Sequence, residues 1–368
     1  MLTTDHTSTV LLALLRAGTD FETPAGTDFA GTDWSAVCKL AARQNVAATT
    51  WHGLERLVAA GLIPEADQPA RALKLQWACT AENVRTRYRR QERTIAQLAR
   101  FFNSHDIRMM VLKGYGLSRC YPDPESRSCS DIDIWLFDEQ ERADALLSAE
   151  KSVEIDNHKH HHTVFTVNGI MVENHYDFLN IHAHLSNRRI ERRLREIVAQ
   201  QPCETISVEG ERVYLPPADF NALFLLRHAG GHFAAVEIEL RHLADWALFV
   251  RRYHAQIDWE ALETFSREMN MHRFLHGLNA LAIECLGMDP AWIPPFERDP
   301  ETEQRMLDDI LRPEFSDKQP KGLLAGIWYK YRRWQANSWK HYMVHKENRF
   351  VTFWVQVVSH LRKPHSLR

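Results

Sequence analysis

Two aspartates separated by one residue, Asp131 and Asp133, stand inside the run Ser130-Asp131-Ile132-Asp133-Ile134-Trp135. The β-branched and aromatic flanks favour a strand, where alternate side chains share a face. Both carboxylates then point one way, and Ile132 and Ile134 point the other way into a core. Carboxylates held side by side repel unless a cation shares them, and hard oxygen donors suit Mg2+ or Mn2+. A Lys-Gly step, Lys113 and Gly114, closes the apolar run ahead of them, and Glu173 and His175 alternate on a later apolar segment. A glycine loop, an Asp-x-Asp and a further carboxylate are the parts that phosphoryl and nucleotidyl transfer requires. Charge builds on oxygen in those reactions, and fixed cations supply most of the catalysis.

Positioning such groups takes a small sheet. Residues 107–112 read as a buried strand ending at Lys113, Pro122 and Pro124 break the chain into a loop, and the Asp-x-Asp strand follows. Residues 138–150 read as a helix with an acidic first turn, which the helix dipole favours. Asn168-Gly169 lies between two alternating runs, residues 163–167 and 170–176, and marks a hairpin because both residues tolerate positive φ. Its second strand turns Glu173 and His175 to one face. Apolar residues recur at helical spacing over about 8–104 and again from about 188 to 286, and prolines at 294, 295, 300, 313 and 320 interrupt the pattern. The expected fold is α+β, a small mixed sheet flanked by helical regions. Its segments are an N-terminal helical segment (1–105), a catalytic core (106–180), a helical domain (181–317) that closes over the nucleotide, and a basic aromatic tail (318–368).

The chain has 368 residues, 45% of them hydrophobic and 25% charged, which is the composition of a globular protein with ample core. Six scattered cysteines with no CxxC pair argue against a disulfide framework or a zinc finger. There is no apolar run of about 20 residues and no signal-peptide pattern, so the expectation is a cytoplasmic protein without membrane contact. The net charge of −3 hides an uneven spread: residues 318–368 hold eleven Lys and Arg against the single acidic Glu347.

The Leu-Lys-Gly of 112–114, Tyr121-Pro122, Arg127, the Ser-Asp-Ile-Asp-Ile-Trp of 130–135, the Val-Glu-Asn-His-Tyr-Asp-Phe of 172–178 and the run LRHLADWALF at 240–249 form a pattern. It resembles the polymerase-β-type nucleotidyltransferase superfamily and, more narrowly, a bacterial family of uncharacterised nucleotidyltransferases. The resemblance covers about residues 70–253. It implies that Asp131, Asp133 and Glu173 bind Mg2+ or Mn2+ and carry catalysis, with Glu173 as ligand or base nearest the acceptor. It also implies that Gly114 lets the backbone approach the triphosphate, which Lys113 and Arg127 neutralise. The expected reaction moves a nucleoside monophosphate from a nucleoside triphosphate, ATP by abundance, to an acceptor hydroxyl on a small molecule. The alternatives are a protein, peptide or nucleic-acid acceptor, and a nucleotide-binding module without turnover. Tyr115 stands where the superfamily usually has Ser or Gly, which leaves Ser118 or Ser130 to supply the phosphate hydroxyl.

Histidines add further donors. The tract His158-Lys159-His160-His161-His162 reads as a polar loop before the hairpin, the alternative being a transition-metal site, with His162 the member placed to reach the site, and His175 is set to orient Glu173 or contact substrate. His228, His232, His242 and Asp245 read as a polar cluster on adjacent helices. The alternation of Trp, Tyr, Lys and Arg in the tail suits a packing helix with a basic face more than a single-stranded nucleic-acid surface.

Overall fold

The structure, a computed structural model, describes residues 2–24, 26–235, 237–315 and 322–362. Part of the tail, 318–321 and 363–368, therefore lies outside the described residues. Two compact units interleave along the chain, one formed by Met1–Arg85, Cys120–Ser128 and Leu226–Val344, the other by Thr86–Arg119, Cys129–Leu225 and His345–Arg368. Among the described residues no helix is long and apolar enough to cross a membrane.

The second unit holds a six-stranded mixed sheet: β1 Met110–Leu112, β2 Asp131–Trp135, β3 His162–Val167, β4 Ile170–His175, β5 Glu204–Val208 and β6 Glu211–Leu215, in the order β3-β4-β2-β1-β6-β5. The fold is α+β, as the sequence implied. The β3–β4 turn is built from Asn168 at φ 53° and Gly169 at φ 68°, both left-handed as a two-residue hairpin of this kind requires. β5 and β6 were not expected, because the chain after Leu179 reads as helical. They are joined by Glu209 at φ 47° and Gly210 at φ 88°, a second hairpin of the same construction. β1 pairs antiparallel with β2, whereas β2 pairs parallel with β4 and aligns Asp133 with Glu173.

That register divides the sheet chemically. Asp131, Asp133, Glu173, His175 and His162 fall on one face, because side chains two apart on a strand and opposite each other on neighbours point the same way. The other face presents Ile132, Ile134, Val172 and Phe165 to a core shared with Tyr88, Ile95, Leu98 and Phe102 of the long helix Arg71–Ser104 and with Ala143 and Leu147 of helix Gln140–Lys151. Asp144 of the latter helix binds the back of the sheet, accepting from Asn174 Nδ2 at 2.9 Å and Thr163 Oγ1 at 2.8 Å.

The first unit is helical. Helices His6–Gly18 and Ala47–Ala59 touch backbone to backbone at Gly53, where a Cβ would lie 1.9 Å from the Leu14 carbonyl oxygen. Its buried polar centre is Arg127, whose Nε and Nη2 each donate to Asp245 at 2.7 Å, while Tyr121 Oη donates to the same carboxylate at 2.8 Å. Both ion partners are almost fully buried, so neither can fall back on water. Asp245→Ala strands the guanidinium and should lower stability by about 3–5 kcal/mol. Denaturant unfolding measures this, and an unchanged midpoint would show the pair to be incidental.

Helix Leu240–Tyr253 starts with a capping box in which His242 Nδ1 accepts from the Glu239 backbone N–H at 3.1 Å. Burial and the neighbouring Arg241 push the His242 imidazole down to about 3. The unfolded chain binds a proton there near pH 6.5 and the folded chain does not, so this residue's share of stability is lost as pH falls from 6.5 toward 3. Gln at this capping position still accepts the bond without titrating. His242→Gln should therefore match the parent melting temperature at pH 7 and lose less of it by pH 5. Parallel pH slopes in the two proteins would refute that origin.

Candidate active site

The Asp-x-Asp strand is read correctly by its alternation: Asp133 is buried, Asp131 is partly exposed, and Ile132 and Ile134 are in the core. Lys113 Nζ lies 2.9 Å from Asp133 Oδ1, and His175 Nε2 lies 3.1 Å from the same oxygen. Glu173 joins through His175 at 3.6 Å and His162 at 3.7 Å. Asp131 sits at the rim, where the Ser130 hydroxyl donates to it at 3.1 Å. Six candidates thus meet on one face: Lys113, Asp131, Asp133, His162, Glu173 and His175.

Electrostatics follow from that packing. Burial opposes ionisation of Asp133, but the Lys113 ammonium and the His175 imidazole outweigh it and hold the carboxyl well below the usual carboxylate range. Burial and the adjacent Asp133 push Asp131 up. Burial would raise Glu173, yet the His175 imidazole 3.6 Å away brings it down. His175 is raised, its burial outweighed by Asp133 and Glu173. Its Nδ1 faces the Asp177 carbonyl at 3.1 Å and must donate there, which directs Nε2 to the carboxylates.

The His tract contributes more than the polar loop expected of it. His161 and His162 pack against His175 with tilted rings, their centroids 5.5 and 5.1 Å away. Burial pushes His161 down to about 2 and His162 down to about 4, so both stay neutral. His161 directly precedes β3, but its contact with His175 depends on how the loop folds back, and no local pattern in the sequence encodes that.

Around Lys113 the backbone is unusual. Lys113 follows β1 with φ 41°, and Gly114 breaks helical geometry at the start of the short helix Lys113–Ser118. Tyr115 does not point at the site: its hydroxyl donates to Glu92 Oε1 at 2.7 Å and its ring stacks on Tyr88. Ser118 is buried and donates to the Tyr115 carbonyl at 2.6 Å, leaving Ser130 as the hydroxyl beside the carboxylates. Arg127, read as a phosphate contact, has its guanidinium taken up by Asp245 in the first unit.

The donor set fits a divalent cation. Three carboxylates face one ammonium, and the ligand atoms of Asp133, Glu173 and His175 lie within 4.8 Å of one another, as do those of His161, His162 and His175. His161 Nδ1 and His162 Nδ1 are buried with no hydrogen-bond partner among the described residues, a cost that an ion bound there would remove.

A six-stranded mixed sheet with an Asp-x-Asp, a partner carboxylate and a Lys-Gly turn defines a nucleotidyltransferase. The chain belongs to the family described as uncharacterised nucleotidyltransferase, whose model matches residues 30–287. A solved nucleotidyltransferase-like antigenic protein from Paracoccidioides brasiliensis is similar over 44% of this chain and 75% of its own, at 15% identity and a TM-score of 0.32. No curated protein matches the chain.

The turn offers a direct check. A Cβ on Gly114 would lie 2.8 Å from Cys129 Sγ, which itself sits 3.2 Å from the Asp131 carbonyl. Gly114→Ala should cost about 1–3 kcal/mol by overpacking, and adding Cys129→Ala should return most of it. Equal unfolding midpoints for Gly114→Ala and parent would remove close approach as the reason for glycine.

Proposed function

We propose that the enzyme transfers a nucleoside monophosphate from a nucleoside triphosphate, ATP by abundance, to a hydroxyl of a small-molecule acceptor. The observation that carries this reading is the alignment of Asp131, Asp133 and Glu173 on one sheet face with Lys113 against Asp133. The acceptor oxygen forms a bond to the α-phosphorus, the bond from that phosphorus to the β-bridging oxygen breaks, and pyrophosphate leaves with the electron pair.

Mg2+ or Mn2+ held by Asp131, Asp133 and Glu173 would supply positive charge to the phosphate oxygens. The remaining work falls to the chain itself. Glu173 remains ionised beside His175 and takes the proton from the acceptor hydroxyl. His175, pinned by the Asp177 carbonyl, fixes the Glu173 and Asp133 carboxylates in place. Lys113 neutralises phosphate oxygens from the turn after β1, and Ser130 offers its hydroxyl at the exposed end of the face. Lys113 holds its positive φ at an expected cost on the order of 1 kcal/mol or more, a strain tolerated where the group must be aimed.

Pyrophosphate release on a responsive acceptor, with and without chelator, tests the assignment. Asp131→Asn/Asp133→Asn should lower the rate at least about 100-fold, and chelation should do the same to the parent. Release as fast as the parent's from the double variant would end this reading.

A further inference from the structure

A further group of side chains able to ligate a metal, sharing no residue with the candidate active face, lies in the same unit. His184, at the start of helix Leu185–Gln200, meets His345 and Glu347 from the bend ahead of helix Arg349–Arg362. The two imidazoles stack with centroids 3.7 Å apart and planes 10° from parallel. His184 Nδ1 lies 3.3 Å from Glu347 Oε1, and the Ser186 hydroxyl donates to that same oxygen at 3.2 Å. One ligand atom from each of the three residues falls within 4.8 Å of the others.

We propose that His184, His345 and Glu347 form a structural transition-metal site of the kind that takes Zn2+. Three features support it. The three ligand atoms lie within 4.8 Å of one another, so a small inward movement brings them to the roughly 2.0–2.2 Å that one ion requires. Two imidazoles and one carboxylate are a donor set for Zn2+, Co2+ or Ni2+ and a poor one for Mg2+. At the bend between the two helices His345 is only 2% exposed and Glu347 is partly buried, while Lys346 between them is exposed. The Ser186 bond orients the carboxylate as an outer-shell partner does. His345 and Glu347 also lie outside residues 30–287, so the family match does not imply the site.

The position gives the ion a role. Helix Leu185–Gln200 holds the loop after β4: Glu191 accepts from the Leu179 backbone N–H at 3.0 Å, and Arg195 bonds the Tyr176 carbonyl and Asp177. Asp177 in turn supplies the carbonyl that fixes His175. An ion at His184 fastens the C-terminal segment to the first turn of that helix and braces the loop behind the catalytic face.

The test uses full-length protein carrying Asp133→Asn/His175→Ala, which disrupts both donor sets of the active face, since His175 belongs to each. Dialysed free of metal and titrated with Zn2+ by calorimetry, this protein should bind one equivalent. Adding His345→Ala, or separately Glu347→Gln, should weaken binding at least about 100-fold. Zn2+ should also raise the melting temperature and slow tryptic cleavage at Lys346 and Arg349 in the double variant, readings that need no further substitution. No Zn2+ uptake by the double variant, or equal uptake after His345→Ala, overturns the proposal and leaves the cluster a hydrogen-bonded staple.

Discussion

The ion pair between Lys113 and Asp133 is the constraint on which the catalytic unit depends. A carboxylate as buried as Asp133 is expensive unless a cation stands against it, and two more carboxylates share its face. Lys113 reaches it only because β1 ends at Leu112, opposite Asp133, and the next residue turns left-handed. That turn needs Gly114 to pass Cys129 at close range. The strained turn, the short strand and the glycine therefore serve one contact.

Rigidity behind the face keeps these groups in place. Asp144 accepts hydrogen bonds from Thr163 on β3 and Asn174 on β4, tying two strands to the helix that covers them. Since Asn174 lies between Glu173 and His175, a bond on the back of β4 sets the orientation of both side chains on its front. His175 is fixed again from its other nitrogen by the Asp177 carbonyl. Preorganised dipoles of this kind need not reorganise as charge develops, which is where most electrostatic catalysis originates.

The parts of this arrangement governed by short-range rules were legible from the residues. Alternation identified β2 and the inward Ile132 and Ile134; Asn168-Gly169 identified the hairpin that carries Glu173 and His175. Glu209-Gly210 between Glu204–Val208 and Glu211–Leu215 is the same signal in weaker form, because Glu at a left-handed position is uncommon, and the β5–β6 hairpin was missed. Contacts over long separations were not legible. Arg127 stands four residues before Asp131, where its charge invites a phosphate role, yet it meets Asp245, 118 positions away. His161 carries no local mark that distinguishes it from His158. The two compact units interleave, so no composition shift along the chain could announce them.

The balance of charge explains why one ammonium does not complete this face. Lys113 is a point charge that approaches Asp133 directly, and Asp131 remains pushed up by burial and by its neighbour even with that ammonium present. Glu173 is brought down chiefly by the neighbouring His175 imidazole, whose own proton is retained only because Asp133 and Glu173 surround it. Each neutralisation leans on another, and the neutral His161 and His162 contribute none. A single proton or ammonium shifted within such a set leaves two carboxylates in mutual repulsion, whereas a divalent charge shared among them relieves both at once. Under the proposed function, the face would be least costly when a divalent cation and an anionic triphosphate arrive together, each offsetting the charge the other brings.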